Sequence, residues 1–167
     1  RGVKRVEHLI EIFNRIEDPA YGCVIVGDPM GYDLSALIKR DNVRCLGEVF
    51  DPHNTEISKL FKMSDLFVIP GDVGLGLNQA FYWGLPVVTE NCLQPPEIHY
   101  MVEGRNGFIV PDGDIDVLEE KVRLLLDDDQ LRAEFSAHAR QHILTEASPE
   151  RMFEGFRDST QFVSPAD

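Results

Sequence analysis

The sequence predicts an α/β protein built on a Rossmann-like, doubly wound parallel sheet. Its five apolar runs do not alternate with polar residues, which is typical of strands covered by helices on both faces. Helical patterns separated by Gly, Pro or Asp lie between the runs, as they do in βαβ units. At 167 residues the chain is long enough for one core, and we expect a single domain. The runs occupy residues 23–27, 43–46, 66–70, 86–90 and 107–111.

The helices are predicted from the spacing of apolar residues. Residues 3–16 place Val6, Leu9, Ile10 and Phe13 on one face, so the chain begins with a helix. A strand ordinarily precedes such a helix, and we expect that first strand upstream of this sequence. The helices between the strands are predicted to start at Leu34, Thr55, Leu77 and Pro96.

The C-terminal third is predicted to be helical. Apolar residues follow helical spacing there, with a break expected at residues 127–129. A last helix is expected to begin with Ser148 as its N-cap and Pro149 at its first position.

Composition excludes several classes of partner. The chain has 16 Lys and Arg residues against 29 Asp and Glu residues, a formal net charge of −13, and no basic run. Nucleic acid and anionic membranes are therefore poor partners. No apolar run is long enough for a membrane span, and three cysteines without a CxxC pair are typical of a reducing compartment. We expect a cytoplasmic protein without a metal site.

The stretch "GDVGLGLNQAF" joins a strand to a helix through Gly71, Gly74 and Gly76. Glycines at such a turn let backbone N–H groups approach an anion, and the helix N-terminus adds a partial positive charge. The stretch is neither the GxGxxG fingerprint nor a P-loop, so two interpretations stay open. It is a diphosphate pocket, or it is a turn whose glycines only permit tight helix–strand packing.

Seven segments in order resemble the C-terminal, donor-binding half of GT-B retaining glycosyltransferases of group 1, also called GT4. "RGVKRVEHLIEIF" is similar to the family's "KGVxxLIxAF", "CVIVGDP" to "LVIVGDGP", and "VRCLGEV" to "VxFLGxV". "LFKMSDLFVIP" is similar to "LYxxADVFVLPS", and "GLPVVTE" to "GxPVVAT". "PPEIHYMVEGRNGFIVPDGD" is similar to "GGxPEIVxxGxxGxLVPPGD", and "LLLDDDQLRAEFSAHAR" to "LLxDPELRxxxGxxAR". The resemblance covers nearly the whole chain.

This resemblance implies a transferase that moves a sugar from a nucleotide-diphosphate-sugar to an acceptor with retention of configuration and no required metal or other cofactor. The acceptor would lie mostly in an N-terminal domain that this sequence does not include. We therefore expect half of an enzyme, inactive alone, with that N-terminal domain as its partner.

The resemblance assigns donor diphosphate binding to the turn that matches the family's "GFGL". These residues are Gly74, Leu75, Gly76 and Leu77. A basic residue before the "KG" glycine contributes as well, and this position is matched to Arg1.

The sugar and ribose contacts depart from the family pattern. The two glutamates of the E-x7-E motif fall on Gly71 and Gln79, so both carboxylates are missing. Gln79 can still bond ribose hydroxyls, and Asp72 is a candidate substitute for the first glutamate. Glu97 matches the family's "PE" near the donor sugar, although an acidic residue also suits a helix start. A variant subgroup, "PGxVGLxxxxAxxxGxPVI", lacks the first glutamate too, which favours a working enzyme.

The nucleobase is expected beside two strand ends. Gly27 and Asp28 match part of the family's "GDG" turn, and Gly47, Glu48 and Val49 follow the next strand.

Two other functions stay open at this stage. The missing carboxylates are compatible with a noncatalytic nucleotide-binding or protein-interaction module. Half of a GT-B sugar-nucleotide epimerase is the third hypothesis, although the acidic and histidine motifs of that group are not visible.

Overall fold

The computed structural model describes residues 3–50 and 52–163, with side chains through residue 160. All five predicted strands are present and every strand pair is parallel, which confirms the α/β class. In the described residues the strands form two sheets, one with the order β1-β2 and one with the order β3-β4-β5. The strands are β1 (Cys23–Val26), β2 (Val43–Gly47), β3 (Phe67–Val68), β4 (Val87–Glu90) and β5 (Gly107–Val110).

Three α-helices accompany the strands. They are α1 (Val6–Arg15), α2 (Thr55–Met63) and α3 (Gly74–Tyr82). Helix α1 follows the predicted apolar face, which is buried through Leu9, Ile10, Ile12 and Phe13. Helix α3 starts at Gly74 rather than at Leu77, so two of the three glycines expected to form a turn, Gly74 and Gly76, lie in its first turn.

Two segments predicted as helices are short 3₁₀ helices, Leu34–Leu37 and Pro96–Tyr100. At the first, the Asp33 carboxylate accepts from the Ser35 amide at 3.0 Å and the Ser35 hydroxyl at 2.5 Å. Such local side-chain bonds offer the backbone an alternative to an α-helix. The second segment ends after one turn, where the Met101 amide donates to Ile98 O at 2.9 Å.

The C-terminal third is helical as predicted, with α4 (Ile115–Asp127), α5 (Asp129–Glu146) and α6 (Pro149–Val163). The predicted break is Asp128, which ends α4 and caps α5 by accepting from the Leu131 amide at 2.9 Å. Ser148 accepts from the Arg151 amide at 3.2 Å, which confirms it as an N-cap.

Two core clusters hold the elements together. The first joins α1, α4 and the start of α5 to strands of both sheets, and its fully buried members include Ile10, Val88 and Leu118. The second anchors α3, whose Leu77 and Phe81 have no exposed surface. The first turn of α3 therefore belongs to a helix that is fixed in the core.

Candidate functional site

The N-terminus of α3 is open to an anion. Gly74 has a φ of 51°, a left-handed conformation that favours glycine, and no side chain caps the helix. The first turn holds no acidic residue. By helix geometry the amides of Gly74, Leu75 and Gly76 lack intrahelical acceptors. Together with the helix dipole, these amides suit a phosphate group.

The chain before α1 crosses the glycine turn. The Gly71 amide donates to Lys4 O at 3.0 Å, and the Asp72 amide donates to Val3 O at 2.9 Å. A Cβ added to Gly71 would lie 2.0 Å from Val3 O, so a side chain at this position requires the crossing backbone to move. The first glutamate of the E-x7-E motif has no room at Gly71 in this arrangement.

Gln94 holds the glycine turn from the side of β4. Its Oε1 accepts from the Val73 amide at 3.1 Å, and its Nε2 donates to Gly71 O at 3.1 Å and to Glu90 O at 2.9 Å. Thr89 lies beside it and donates to Gly71 O at 3.3 Å. The turn is thereby fixed to the end of β4 in the conformation that opens the α3 amides.

A lysine that the sequence interpretation did not assign lies over this helix start. Lys4 Nζ donates to Asp72 O at 2.7 Å and contacts Asp72 Oδ1 at 3.2 Å. A Cβ added to Gly74 would lie 3.2 Å from Lys4 Nζ and 3.5 Å from Asp72 Oδ1. An anion at the start of α3 would therefore meet the Lys4 ammonium, and it would compete for that ammonium with the neighbouring Asp72 carboxylate.

A different register of the first family motif accounts for Lys4. Counted back from Leu9 and Ile10, "KRVEHLIEIF" fits "KGVxxLIxAF" without a gap, which puts Lys4 at the lysine and Arg5 at the glycine. Arg5 has a φ of 51°, the conformation that glycine favours, in agreement with this register. Arg1 lies outside the described residues, and its expected role stays a prediction.

The residues expected at the nucleobase meet at the ends of β1 and β2. The Gly27 amide donates to Gly47 O at 2.9 Å, and the two glycines have φ values of 132° and 69°. The Asp28 carboxylate accepts from the Met30 amide at 2.8 Å. Glu48 is exposed and Val49 half-buried. The structure thus brings the two predicted strand-end turns together.

The other predicted site residues differ in exposure. Leu75 is exposed, whereas the Leu77 side chain belongs to the core. Gln79 is exposed on α3, and Glu97 is half-buried in the first turn of its 3₁₀ helix. Among the described residues, no hydrogen bond joins the side chain of Gln79 or Glu97 to the glycine turn.

Glu90 at the end of β4 is a second feature that the sequence interpretation missed. Its carboxylate is fully buried, with Oε1 2.6 Å from His8 Nδ1 and Oε2 2.5 Å from Arg5 Nη1. The Gly113 amide donates to Oε2 at 2.9 Å. Arg5 Nη1 also pairs with Asp112. The hydrogen bond to Asp112, and to a smaller extent the one to Glu90, raises the pKa of Arg5 above its usual range.

Residues 1–142 match the sequence model of the family described as glycosyl transferases group 1. The chain belongs to this family. Its structural neighbours in the group have the GT-B fold, which confirms the resemblance seen in the sequence.

The chain matches only part of the length of each of three similar proteins. The sulfoquinovosyl transferase SQD2 of Arabidopsis thaliana is 29% identical over 143 residues, which cover 81% of this chain and 28% of SQD2. A TarM variant from S. aureus, solved with fondaparinux, alpha-GlcNAc-glycerol and UDP, is 24% identical with a TM-score of 0.80, covering 95% of this chain and 33% of TarM. HepE from Anabaena, solved with UDP, is 18% identical with a TM-score of 0.77, covering 95% of this chain and 45% of HepE. The chain therefore spans less than half the length of these relatives.

Within the part of the chain that the structure describes, no helix is long and apolar enough to cross a membrane. No group of three or more His, Cys, Asp or Glu side chains within that part is placed to hold a metal ion.

Proposed function

We propose that this chain is the nucleotide-diphosphate-sugar binding domain of a GT4-type glycosyltransferase that transfers a sugar with retention. The observation that carries the proposal is the uncapped N-terminus of α3, which lies beneath the Lys4 ammonium. Open amides, a helix dipole and a cation converge on one point there. This combination is complementary to a diphosphate.

The diphosphate is assigned to the amides of Gly74, Leu75 and Gly76, with Leu77 anchoring the helix that carries them. Lys4 supplies the positive charge, and Asp72 is its partner in the absence of a ligand. Arg1 keeps its expected role as a basic residue that contributes to diphosphate binding.

The ribose and sugar are assigned to the surfaces on either side of the diphosphate. Gln79 would bond ribose hydroxyls, since a side-chain amide both donates and accepts. Asp72 and Glu97 are the candidate acceptors for sugar hydroxyls. Gly71 stays assigned to this region, where its role is to let the backbone of Val3 and Lys4 cross close to the site.

The nucleobase is assigned to the paired turns at the ends of β1 and β2, through Gly27, Asp28, Gly47, Glu48 and Val49. Backbone groups at these turns can hydrogen-bond a base edge, as glycine allows close approach. Uridine is the base to test first, because TarM and HepE were solved with UDP.

Catalysis would rest on leaving-group stabilisation. As the bond from the anomeric carbon to the diphosphate breaks, negative charge grows on the diphosphate oxygens, where the α3 amides and Lys4 lie. Preorganised donors of this kind lower the barrier without a metal ion. The acceptor and the remaining catalytic groups would come from an N-terminal domain of the same cytoplasmic enzyme, so the chain alone would bind donor without turnover.

A noncatalytic nucleotide-binding module is the second candidate function. Both carboxylates of the E-x7-E motif are missing, and Gly71 has no space for one of them. Such a module would bind the nucleotide, whereas the full-length protein would neither transfer nor hydrolyse the sugar. Product formation by the full-length protein therefore separates the two candidates.

Calorimetric titration of the chain with UDP, GDP, ADP and TDP tests the site. We expect tight binding of one nucleotide and its loss in Gly74→Val, which blocks the α3 amides. Gly104→Val is the matched control, because Gly104 has a φ of 68° and open space around its Cβ position. Unchanged affinity in Gly74→Val, or equal loss in the control, would contradict the assignment.

A further inference from the structure

Three departures from the family pattern meet at one guanidinium group. Arg5 stands at the glycine of "KGVxxLIxAF", Glu90 at the threonine of "GxPVVAT", and Asp112 at the second proline of "GxLVPPGD". Arg5 Nη1 pairs with both Glu90 and Asp112. Residues 5 and 90 are 85 positions apart in the chain, so this contact joins two departures from the family pattern that are distant in sequence.

The Glu90 carboxylate is built into the fold rather than exposed to solvent. Its side chain is fully buried, while the Arg5 side chain is 20% exposed. A buried carboxylate is costly unless charged or hydrogen-bonded partners compensate it. Arg5, His8 and the Gly113 amide provide three such partners. These contacts tie the start of α1 to the end of β4 and to the loop before α4.

This cluster adjoins the backbone segment that carries Lys4. Arg5 is the N-cap of α1 in a left-handed conformation, which is unfavourable for a residue other than glycine. Its ion pairs favour that conformation despite the cost. Lys4 precedes Arg5 directly, and the carbonyl groups of Val3 and Lys4 accept from the amides of Asp72 and Gly71. The backbone that carries the Lys4 ammonium over Gly74 is thus fixed on one side by the glycine turn and on the other by Arg5.

We propose that Glu90, acting through Arg5, is a positioning residue for Lys4 and thereby strengthens binding of the donor diphosphate. This inference rests on the proposed function. Glu90 does not touch the nucleotide; its contribution reaches the ligand only through the Lys4 ammonium.

A double-mutant cycle separates this role from a purely structural one. Glu90→Gln, Lys4→Gln and the double variant are titrated with UDP, and thermal unfolding is recorded for each. A positioning role predicts that each single change weakens UDP binding about tenfold, and that the double variant binds no more weakly than Lys4→Gln. A structural role predicts a lower melting temperature with no such coupling in UDP affinity.

A second variant tests the same positioning role without changing Glu90, so the test does not depend on whether Glu90→Gln folds. Arg5→Gly removes the guanidinium, and glycine allows the φ of 51° without strain but does not hold the backbone in it as the ion pairs of Arg5 do. It is expected to weaken UDP binding when Lys4 is present. Combined with Lys4→Gln, it is expected to cause no further loss of UDP affinity. Glu119→Gln is the control, since Glu119 pairs with Arg15 and Arg123 away from the site. It is expected to leave UDP affinity unchanged.

The outcomes distinguish this inference from the function on which it rests. Full UDP affinity in both Glu90→Gln and Arg5→Gly, or effects that simply add to that of Lys4→Gln, would overturn the positioning role. If Gly74→Val nevertheless abolishes the UDP binding seen in wild type, the proposed function is supported even though the positioning role is overturned. A wild-type chain that binds no nucleotide would overturn both.

Discussion

The backbone of Gly71 passes so close to Val3 that a Cβ atom added to Gly71 would lie 2.0 Å from the carbonyl oxygen of Val3. The close approach lets the chain before α1 cross the glycine turn, with hydrogen bonds from Gly71 and Asp72 to Lys4 and Val3. The absence of a carboxylate at position 71 and the placement of Lys4 over α3 therefore have one structural cause. The glycine at this position is therefore compatible with a donor site that binds nucleotide, and by itself it does not indicate a site that has lost this function.

Gly71→Ala should destabilise the protein and weaken nucleotide binding together. The added methyl group overlaps the Val3 carbonyl, and relieving that overlap shifts the segment that carries Lys4. We expect a loss of about 1–3 kcal/mol in the free energy of unfolding, measured by urea denaturation. Gly155→Ala is the control, because its Cβ position in α6 has open space and alanine favours helices. A Gly71→Ala protein as stable as wild type would refute the crossing.

Gln94→Met should loosen the glycine turn while keeping side-chain volume. The change leaves the Val73 amide without its partner and removes one of the two hydrogen bonds to each carbonyl group of Gly71 and Glu90, which keep Thr89 and the Cys92 amide as donors. Unsatisfied groups of this kind cost about 1–3 kcal/mol. We expect lower stability by urea denaturation and weaker UDP binding by calorimetry. Gln130→Met, at an exposed position of α5, should change neither, and equal effects of the two substitutions would argue against the clamp.

Cys23 should make the protein lose stability at alkaline pH. Burial raises the pKa of its thiol to about 12, above the value of about 8.5 in an unfolded chain. Above the lower value the unfolded state loses its proton while the folded state keeps it, so the folded state is disfavoured as pH rises. This stabilisation is complete below the unfolded pKa and is lost toward pH 12, at about 1.4 kcal/mol per pH unit.

Urea denaturation at pH 8, 9 and 10 measures this effect. Cys23→Ala, which has no thiol to ionise, should show a flatter decline than wild type even if its stability at pH 8 is lower. The other alkaline groups are the same in both proteins, so the difference in slope isolates Cys23. Parallel slopes would show that the thiol does not remain protonated in the folded state.

The fold could be predicted from the sequence because its strands are local apolar runs with clear turn signals. The start of α3 could not, since Gly74 and Gly76 have poor helix propensity and tertiary contacts through Leu77 and Gln94 determine where the helix begins. The segment at Leu34 likewise follows local bonding by Asp33 rather than its apolar spacing.

The candidate site was predictable only where its residues are adjacent in sequence. The glycine turn was identified from its motif, whereas Lys4 was not assigned because the first family motif was matched at Arg1. A count back from Leu9 and Ile10 gives Lys4 the same motif position, and the role expected of Arg1 stays a prediction. Glu90 gave no signal, because its partners His8 and Arg5 lie 82 and 85 positions away and a single Glu at a strand end is common at the surface.

The most direct test of the proposed donor site is amide chemical-shift mapping of the isotope-labelled chain during titration with UDP. If the diphosphate binds at the start of α3, the largest shifts are expected at Gly74, Leu75 and Gly76, accompanied by Lys4, with a second group at the ends of β1 and β2. Shifts confined to another surface, such as the pocket between Arg105 and His138, would contradict that placement.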